Sequence, residues 1–220
     1  MIVAVDGPAG SGKGTITKRI EKELGFLNLD TGATYRCLAL SVLKNHCDID
    51  NEEAIVELAE KMDIRIKKEN DKDVFFLFGE DVTKNIRSKE VNDIVSQVSS
   101  IIRVREIMVE KQRELAIGKN IIVEGRDVGT VIFPNADLKI YLDASEEVRV
   151  KRRYLENINN GIDSSYEDVL ENIRIRDYND KHKKFGALKI ADDAIVIDSS
   201  SLTFDEVVNK IKTLINNILV

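Results

Sequence analysis

The strongest chemical signal in the sequence is a glycine-rich segment near the N-terminus, Gly7-Pro8-Ala9-Gly10-Ser11-Gly12-Lys13-Gly14-Thr15. A glycine followed by four residues and then Gly-Lys is the pattern of a phosphate-binding loop. Glycines let the backbone curl until several amide N–H groups converge on phosphate oxygens, and the N-terminus of the following helix adds a favourable dipole. The lysine can then reach the β- and γ-phosphates of a nucleotide. The segment therefore predicts ATP binding.

One position departs from the commonest form of this loop. Ser or Thr usually follows the lysine, and its hydroxyl binds Mg²⁺, whereas this chain has Gly14 there and a hydroxyl one residue later, at Thr15. The resulting Gly-Lys-Gly-Thr resembles the nucleoside monophosphate kinases, in which nucleotide phosphates and water hold most of the metal's coordination shell. That resemblance implies Mg²⁺ with ATP as co-substrate, and no metal ligands from the protein itself.

Arginines occur where an acceptor phosphate would need them. Residues 30–36 follow one predicted strand and end at Arg36, and Glu124-Gly125-Arg126-Asp127 follows another. The carboxyl ends of parallel strands are where α/β proteins bind ligands. A small-molecule kinase needs arginines to hold the acceptor phosphate and to spread the charge of the transition state. These segments therefore favour phosphoryl transfer to a small phosphorylated acceptor.

Three segments together resemble the bacterial cytidylate kinases. They are residues 6–15, 29–36 and 124–134, and shorter matches follow at 96–98, 103–105, 143–145 and 176–177. The likeness extends through nearly the whole chain in order. It implies an enzyme that transfers the γ-phosphoryl group of ATP to CMP or dCMP, in pyrimidine nucleotide metabolism.

The resemblance assigns phosphate handling to charged residues. Lys13, Arg36 and Arg126 match the catalytic residues, and the two arginines match the holders of the acceptor phosphate. A guanidinium suits that role because it can bind phosphate in a bidentate manner. The expected ATP contacts are Gly7, Pro8, Ala9, Gly10, Ser11, Gly12, Lys13, Gly14 and Thr15, together with Arg152 and Arg153 in the lid segment.

The resemblance also assigns contacts with the base and sugar of the acceptor. Ser96, Arg105 and Asp127 match residues that read the cytosine edge, where a carboxylate suits the exocyclic amine that uracil lacks. Arg176 and Asp180 match residues around the sugar. The implied acceptor set is Thr31, Arg36, Ser96, Arg105, Arg126, Asp127, Arg176 and Asp180.

The chain departs from the family pattern after Asp180. The family usually has an arginine three residues further on and then a proline-containing stretch, whereas this chain has Lys183 and then Phe-Gly-Ala-Leu at 185–188. Lysine keeps the positive charge but lacks the planar fork of arginine. Residue 183 is therefore left out of the expected site.

The apolar pattern indicates the scaffold that must position these residues. Short apolar runs predict strands at 2–6, 27–30, 121–123, 138–143 and 194–198, with helical patterns between them. Strands alternating with helices predict an α/β P-loop fold of three layers around a five-stranded parallel sheet. Residues 63–68 and 74–78 break that rhythm and predict an antiparallel hairpin with a charged turn at 69–73. Residues 88–117 are predicted to be helical.

We therefore expect a single P-loop kinase domain over residues 1–220. Its core would comprise about 1–35, 119–148 and 186–220. An inserted subdomain at about 36–118 would bind the nucleoside monophosphate, and a lid would occupy about 149–185. Charged residues dominate the lid segment, which is typical of either a solvated helical pair or a mobile flap.

Composition argues against several other classes. The net charge is −6, from 33 Lys+Arg and 39 Asp+Glu, and only 5% of residues are aromatic, so neither nucleic acid nor a membrane surface is an expected partner. No apolar run is long enough to span a bilayer, and the two cysteines make neither a disulfide framework nor a zinc site. We expect a cytoplasmic monomer that binds the small molecules ATP and CMP or dCMP.

The residues alone leave other interpretations open. The acceptor could be UMP, dTMP or shikimate, because acceptor choice depends on pocket shape. A nucleotide-dependent switch is a second possibility, although the Asn-Lys-x-Asp motif of GTPases is missing from the sequence. Single residues also have structural alternatives. Arg105 could lie on a solvated face, Asp127 could simply pair with Arg126, and Asp30 could cap the following helix.

Overall fold

A computed structural model describes residues 1–69 and 72–219 of the chain. Its strands are β1 (Ile2–Asp6), β2 (Leu27–Asp30), β3 (Ile64–Glu69), β4 (Lys72–Leu77), β5 (Glu80–Asp81), β6 (Ile121–Gly125), β7 (Leu138–Asp143) and β8 (Ile195–Asp198). Its helices are α1 (Lys13–Leu24), α2 (Thr31–Lys44), α3 (Glu52–Lys61), α4 (Lys89–Val98), α5 (Ile102–Ala116), α6 (Glu146–Asn159), α7 (Tyr166–His182) and α8 (Phe204–Leu219).

The chain forms two compact units. The core unit comprises Met1–Leu29 and Gly118–Val220, and the insert unit comprises Asp30–Ile117. The predicted lid at 149–185 belongs to the core unit. Its function as a lid stays a prediction, as does the division into three functional parts.

The core unit is built on a five-stranded sheet in the order β2-β6-β1-β7-β8. Strand β1 is central and pairs in parallel with β6 and β7, so that Val5 lies opposite both Glu124 and Ile140. Val3 and Val5 have no exposed surface. A strand buried on both faces has no polar alternation, which is why residues 2–6 form a continuous apolar run. The predicted parallel sheet is confirmed.

Helices α1 and α8 cover one part of this sheet with an apolar stripe each. Ile16 and Ile20 from α1, and Ile211 and Ile215 from α8, pack in one cluster with strand residues such as Val3. These side chains recur every three or four residues, which places them on a single helix face. The burial of that stripe fixes α1, and with α1 the end of the loop that precedes it.

The insert unit has its own apolar core and its own sheet. Strands β3, β4 and β5 form an antiparallel sheet in that order, with Ile64 opposite Leu77. The predicted hairpin is therefore confirmed. Strand β5 was not predicted, because two residues are too short to show a strand pattern in the sequence. The predicted turn at 69–73 lies partly outside the described residues. Helix α2 is buried along most of its length, and Leu38 lies in the same cluster as Met108.

Two helical predictions need refinement. The predicted helical stretch 88–117 consists of two helices, because α4 ends at Val98 and α5 begins at Ile102. The segment at 150–185 is largely the helical pair α6 and α7, and Val150 packs against Val169 and Ile173 between them. The structure shows the helical pair, and movement of this pair as a flap stays a prediction. In the part of the chain that the structure describes, no helix is long and apolar enough to cross a membrane.

We predict that Gly7→Ala destabilises the fold far more than Gly25→Ala. Both glycines have positive φ angles, +154° and +70°, so alanine is strained at either position. A β-carbon at residue 7 would in addition overlap the carbonyl oxygen of Leu142, whereas nothing lies within 4 Å of the corresponding position at residue 25.

The free energy of unfolding measured in urea is expected to fall by about 1 kcal/mol for Gly25→Ala and by roughly 3 kcal/mol or more for Gly7→Ala. Equal losses in the two variants would contradict the close approach of the loop to β7.

Candidate active site

The phosphate-binding loop connects the central strand to a helix, as its sequence predicts. Residues 7–12 leave the carboxyl end of β1, and α1 begins at Lys13. The residue that caps α1 is Gly12, which has no side chain to accept hydrogen bonds from the first turn. Those N–H groups, and the positive end of the helix dipole, face an incoming anion without competition from a capping side chain.

Lys13 is almost completely buried, with 5% of its surface exposed. Its ammonium group donates hydrogen bonds to the carbonyl oxygens of Gly7 and Pro8, both at 2.8 Å, and to the hydroxyl of Ser11 at 3.3 Å. Burial, followed by the positive charge of Arg126, lowers the pKa of Lys13 well below its ordinary value. A bound phosphate would counter both effects because it brings negative charge to this position.

Arg126 lies just beyond β6 and is held by an acidic residue of α7. Its Nε donates to Oδ2 of Asp180 at 2.6 Å, and Lys183 donates to the other oxygen of the same carboxylate at 3.1 Å. Burial alone would raise the pKa of Asp180, but the charges of Arg126 and Lys183 lower it overall. Lys183, which the sequence analysis left out, therefore belongs to this cluster.

Asp6, at the end of β1, is a second residue that the sequence analysis did not assign. Its two carboxylate oxygens accept the N–H groups of Val128 and Gly129, each at 2.8 Å. These bonds begin a single π-helical turn, Val128–Ile132, directly after Asp127. Turns of this kind often occur at functional sites. An acidic residue directly before the glycine-rich loop was the available sequence signal.

Burial raises the pKa of Asp6 from 3.8 to about 6, although its two backbone hydrogen bonds act in the opposite direction. The nearby charge of Asp127, which is also buried, adds to the increase. Asp6 is therefore a carboxyl group that titrates close to neutral pH.

Glu124 lies beside the glycine that follows the lysine of the loop. A β-carbon on Gly14 would lie 2.7 Å from Oε1 of Glu124, so any side chain at residue 14 would displace this carboxylate. Oxygen donors of this kind suit Mg²⁺, which usually keeps several waters and binds through nucleotide phosphates. Within residues 1–69 and 72–219, no three His, Cys, Asp or Glu side chains form a group that could hold a metal ion alone.

The two arginines of the predicted lid, Arg152 and Arg153, have different surroundings. Arg152 donates to the carbonyl oxygen of Ser11 in the loop at 3.4 Å and to both oxygens of Ser199, at 3.0 and 2.8 Å. Burial lowers its pKa. Arg153 instead pairs with Glu156 on the exposed side of α6. The structure therefore brings only the first of these predicted ATP contacts to the loop.

The predicted sugar-binding residues also differ in their surroundings. Arg176 is exposed on α7, one helical turn before Asp180, which is buried in the cluster with Arg126. Lys13, Arg126 and Asp180 thus lie among one another's charges in the core unit, and Asp127 lies near Asp6. Arg176 and Arg153 lie at the surface of that unit.

The remaining acceptor residues belong to the insert unit. Thr31 is the first residue of α2, which Asp30 caps by accepting the N–H of Ala33 at 2.9 Å. Asp30 also pairs with Arg36, between Oδ2 and Nη2 at 2.7 Å. Asp30 thus caps α2, as the structural alternative predicts, and it also holds Arg36 beside the end of β2.

Arg105 is buried, with 3% of its surface exposed, so the solvated-face interpretation is wrong. Its guanidinium lies 5.4 Å from the centre of the Tyr35 ring and donates to the carbonyl oxygen of Ser99 at 3.4 Å. Ser96, by contrast, is exposed on α4. The sequence pattern of this charge-rich helix did not distinguish Arg105 from its exposed neighbours. Its guanidinium lies over the ring of Tyr35 from α2, a contact that only the folded chain creates.

Comparison with known proteins identifies relatives along the whole chain. A family model described as cytidylate kinase matches residues 3–217. A cytidylate kinase from Caldicellulosiruptor bescii is 48% identical, covering 95% of this chain and 92% of its own length. Cytidylate kinase 1 from Haemophilus influenzae is 42% identical, covering 96% and 91%. A solved structure of an uncharacterized protein from Eubacterium ventriosum has a TM-score of 0.52 at 13% identity, covering 98% of each chain, which shows the fold alone.

Asp6 leads to a prediction about the pH dependence of stability. The carboxyl group binds a proton more readily in the folded protein than in the unfolded chain, because its pKa rises from 3.8 to about 6. The stability that this proton contributes is complete below about pH 3.8 and is lost as the pH rises through about 6. The unfolding free energy of the wild type, relative to Asp6→Asn, should therefore fall by about 3 kcal/mol over that range.

Urea unfolding of both proteins between pH 4 and pH 7 measures this difference. Asp193→Asn is the matched control, because the hydrogen bond from Lys139 lowers the pKa of Asp193 below 3.8, so this carboxyl is ionised in both states and its difference from the wild type should stay nearly constant over this range. A difference between wild type and Asp6→Asn that stays constant with pH would show that Asp6 does not titrate in this range.

Proposed function

This chain belongs to the cytidylate kinase family, and from that premise we propose that it transfers the γ-phosphoryl group of ATP to CMP or dCMP. The observation that carries the proposal is a pair of neighbouring cations beyond the carboxyl ends of β1 and β6, the buried Lys13 and the partly buried Arg126. Burial, and next the charge of Arg126, lowers the pKa of Lys13, and such a pair of cations is costly unless an anion joins them. The phosphates of a nucleotide would supply that anion.

Charge stabilisation and positioning dominate phosphoryl transfer, so the protein needs little covalent chemistry. Lys13 would contact the β- and γ-phosphates, while the N–H groups of the loop and of the first turn of α1 bind the remaining oxygens. Arg126 would face the acceptor phosphate. Asp180 engages its Nε, which leaves donors on the two terminal nitrogens for a bidentate contact.

No general base is required in this reaction. The acceptor is a phosphate monoester whose second pKa is about 6, so its attacking oxygen is already ionised at neutral pH. Arg36 would share the charge of this phosphate, as the family resemblance implies. The residues of the chain would thus hold the phosphates and neutralise their charge, and they would transfer no proton during the step.

Mg²⁺ is the metal we expect with ATP, and when bound it neutralises charge on the β- and γ-phosphates. Nucleotide phosphates and water would supply most of its ligands. The carboxylate of Glu124, beside Gly14, and the hydroxyl of Thr15 are the protein oxygens that we expect to hold that water shell.

The proposed acceptor contacts are those that the sequence predicts. Ser96, Arg105 and Asp127 would read the base, and Arg176 and Asp180 the sugar. The buried carboxylate of Asp127 would accept a hydrogen bond from the exocyclic amine of cytosine, a group that uracil lacks. A monomeric state, a cytoplasmic location and a lid formed by residues 149–185 stay predictions.

The first test measures ADP release with ATP and Mg²⁺ for CMP, dCMP, UMP, AMP, dTMP and shikimate as acceptors. We expect strong turnover with CMP and dCMP, and a loss of at least about 10³-fold for Lys13→Ala, because the variant lacks the cation of the loop. Turnover with a different acceptor would be consistent with the proposed ATP site but would contradict the base-reading roles of Ser96, Arg105 and Asp127. ATP binding without transfer to any acceptor would favour a nucleotide-dependent switch.

Asp127→Ala tests acceptor selection separately from donor binding. Removing a carboxylate that accepts a hydrogen bond from the cytosine amine should raise the KM for CMP by roughly 10- to 100-fold, with a much smaller change in the KM for ATP. Asp193→Ala, which removes a carboxylate paired with Lys139, is the control and should change neither constant. An unchanged KM for CMP in Asp127→Ala would refute the assignment.

A further inference from the structure

Two charged residues outside the proposed contacts touch the phosphate-binding loop from the helical pair α6–α7. Arg149 of α6 and Asp177 of α7 form a buried ion pair, between Nη1 and Oδ2 at 2.7 Å. The same Nη1 donates to the carbonyl oxygen of Ala9 at 2.8 Å, and the other oxygen of Asp177 accepts the N–H of Ala9 at 3.3 Å. The pair therefore binds both backbone polar groups of Ala9, the carbonyl oxygen and the N–H.

The backbone of α6 also lies directly against this part of the loop. A β-carbon on Gly10 would be 3.1 Å from both Cβ and the carbonyl oxygen of Arg149. The guanidinium is itself fixed, because its Nε donates to the carbonyl oxygen of Ala144 at 3.0 Å. With three different acceptors for its planar fork, Arg149 has little freedom to turn away.

These contacts complete a pattern among the carbonyl groups of the loop. Lys13 binds the carbonyl oxygens of Gly7 and Pro8, Arg149 binds that of Ala9, and Arg152 binds that of Ser11. A carbonyl drawn towards a cation turns the N–H of the same peptide group the opposite way. The peptide group after Gly7 has no N–H because Pro8 follows, and the N–H of Ala9 donates to Asp177. The cations on the carbonyl oxygens of Ala9 and Ser11 thus orient the N–H groups of Gly10 and Gly12 for a phosphate.

We propose that Arg149 and Asp177 are positioning residues of the donor site. They fix the two peptide groups on either side of Ala9 and so couple ATP affinity to the packing of α6 against α7. The inference rests on the proposed function only in taking ATP as the phosphoryl donor. It requires no particular acceptor.

Asp177→Ala should raise the dissociation constant for ADP and the KM for ATP about tenfold, the loss expected when one hydrogen bond to a charged group is removed. The KM for CMP should change less than twofold. Calorimetry with ADP and Mg²⁺, without any acceptor, gives the first constant, and initial rates give the other two. Asp177→Asn keeps an oxygen for the N–H of Ala9 and should recover most of the affinity.

Glu146→Ala is the matched control for loosening of the helical pair. Glu146 of α6 binds Arg174 of α7 at 2.7 Å, so this bridge joins the same two helices, but it is exposed and makes no contact with the loop. The control should leave ADP binding within twofold of the wild type. An equal loss in Glu146→Ala and Asp177→Ala would overturn the proposal, because helix packing alone would then explain it.

A double variant covers the case in which Asp177→Ala unfolds, since it leaves Arg149 buried without its carboxylate. Arg149→Met with Asp177→Leu replaces both charges by apolar groups, an exchange that often preserves stability. Urea unfolding should show a fold close to the wild type in stability, while ADP affinity still falls about tenfold. Wild-type affinity in a folded double variant would overturn the proposal.

The outcomes also separate this inference from the proposed function. Wild-type protein that binds ADP but phosphorylates no CMP would refute the proposed function, and the ADP measurements would still decide the role of the pair. Wild-type turnover of CMP together with unchanged ADP binding in Asp177→Ala would refute the role of the pair alone.

Discussion

A loop that offers its N–H groups to a phosphate must satisfy its carbonyl groups elsewhere. In a helix or a strand each peptide satisfies both of its polar groups by the regular pattern, but residues 7–12 belong to neither. The chain meets this constraint with side-chain cations, of which Lys13 covers two consecutive carbonyl oxygens from inside the loop. The carbonyl oxygens of Ala9 and Ser11 accept hydrogen bonds from Arg149 and Arg152 of α6. Much of the core unit is arranged around this requirement.

The same requirement explains why so many charges are buried beside the loop. Burying a cation is costly unless opposite charge accompanies it, and here acidic residues lie on the neighbouring strands and helix. Asp6 ends β1, Glu124 lies near the end of β6, and Asp180 lies in α7. All three raise the pKa of Lys13, against the larger effect of burial. The cluster is therefore partly neutralised before any phosphate arrives, and a bound nucleotide would complete the balance.

The sequence predicts the scaffold well because the central strands β1, β6 and β7 are buried on both faces. A short, continuous apolar run such as residues 2–6 is typical of a central strand in a parallel sheet, and the stripe of α8 repeats over four turns. Contacts between distant segments were less accessible. Arg149 and Arg152 lie three residues apart in one charged helix, and nothing in their spacing distinguishes them from Arg153, which faces solvent. Their burial depends on where the loop and α7 lie, which only the folded chain determines.

Two unusual positions near the loop each lie beside a carboxylate. Gly14 stands where a hydroxyl residue is common, and a β-carbon there would displace the carboxylate of Glu124. Lys183 stands where the family usually has arginine, and it binds Asp180 on the oxygen opposite to Arg126. For holding a carboxylate that already engages a guanidinium, a point charge is sufficient, because the fork geometry is supplied by Arg126. Lysine at this position therefore maintains the orientation of Asp180, and through it that of the arginine that we propose faces the acceptor phosphate.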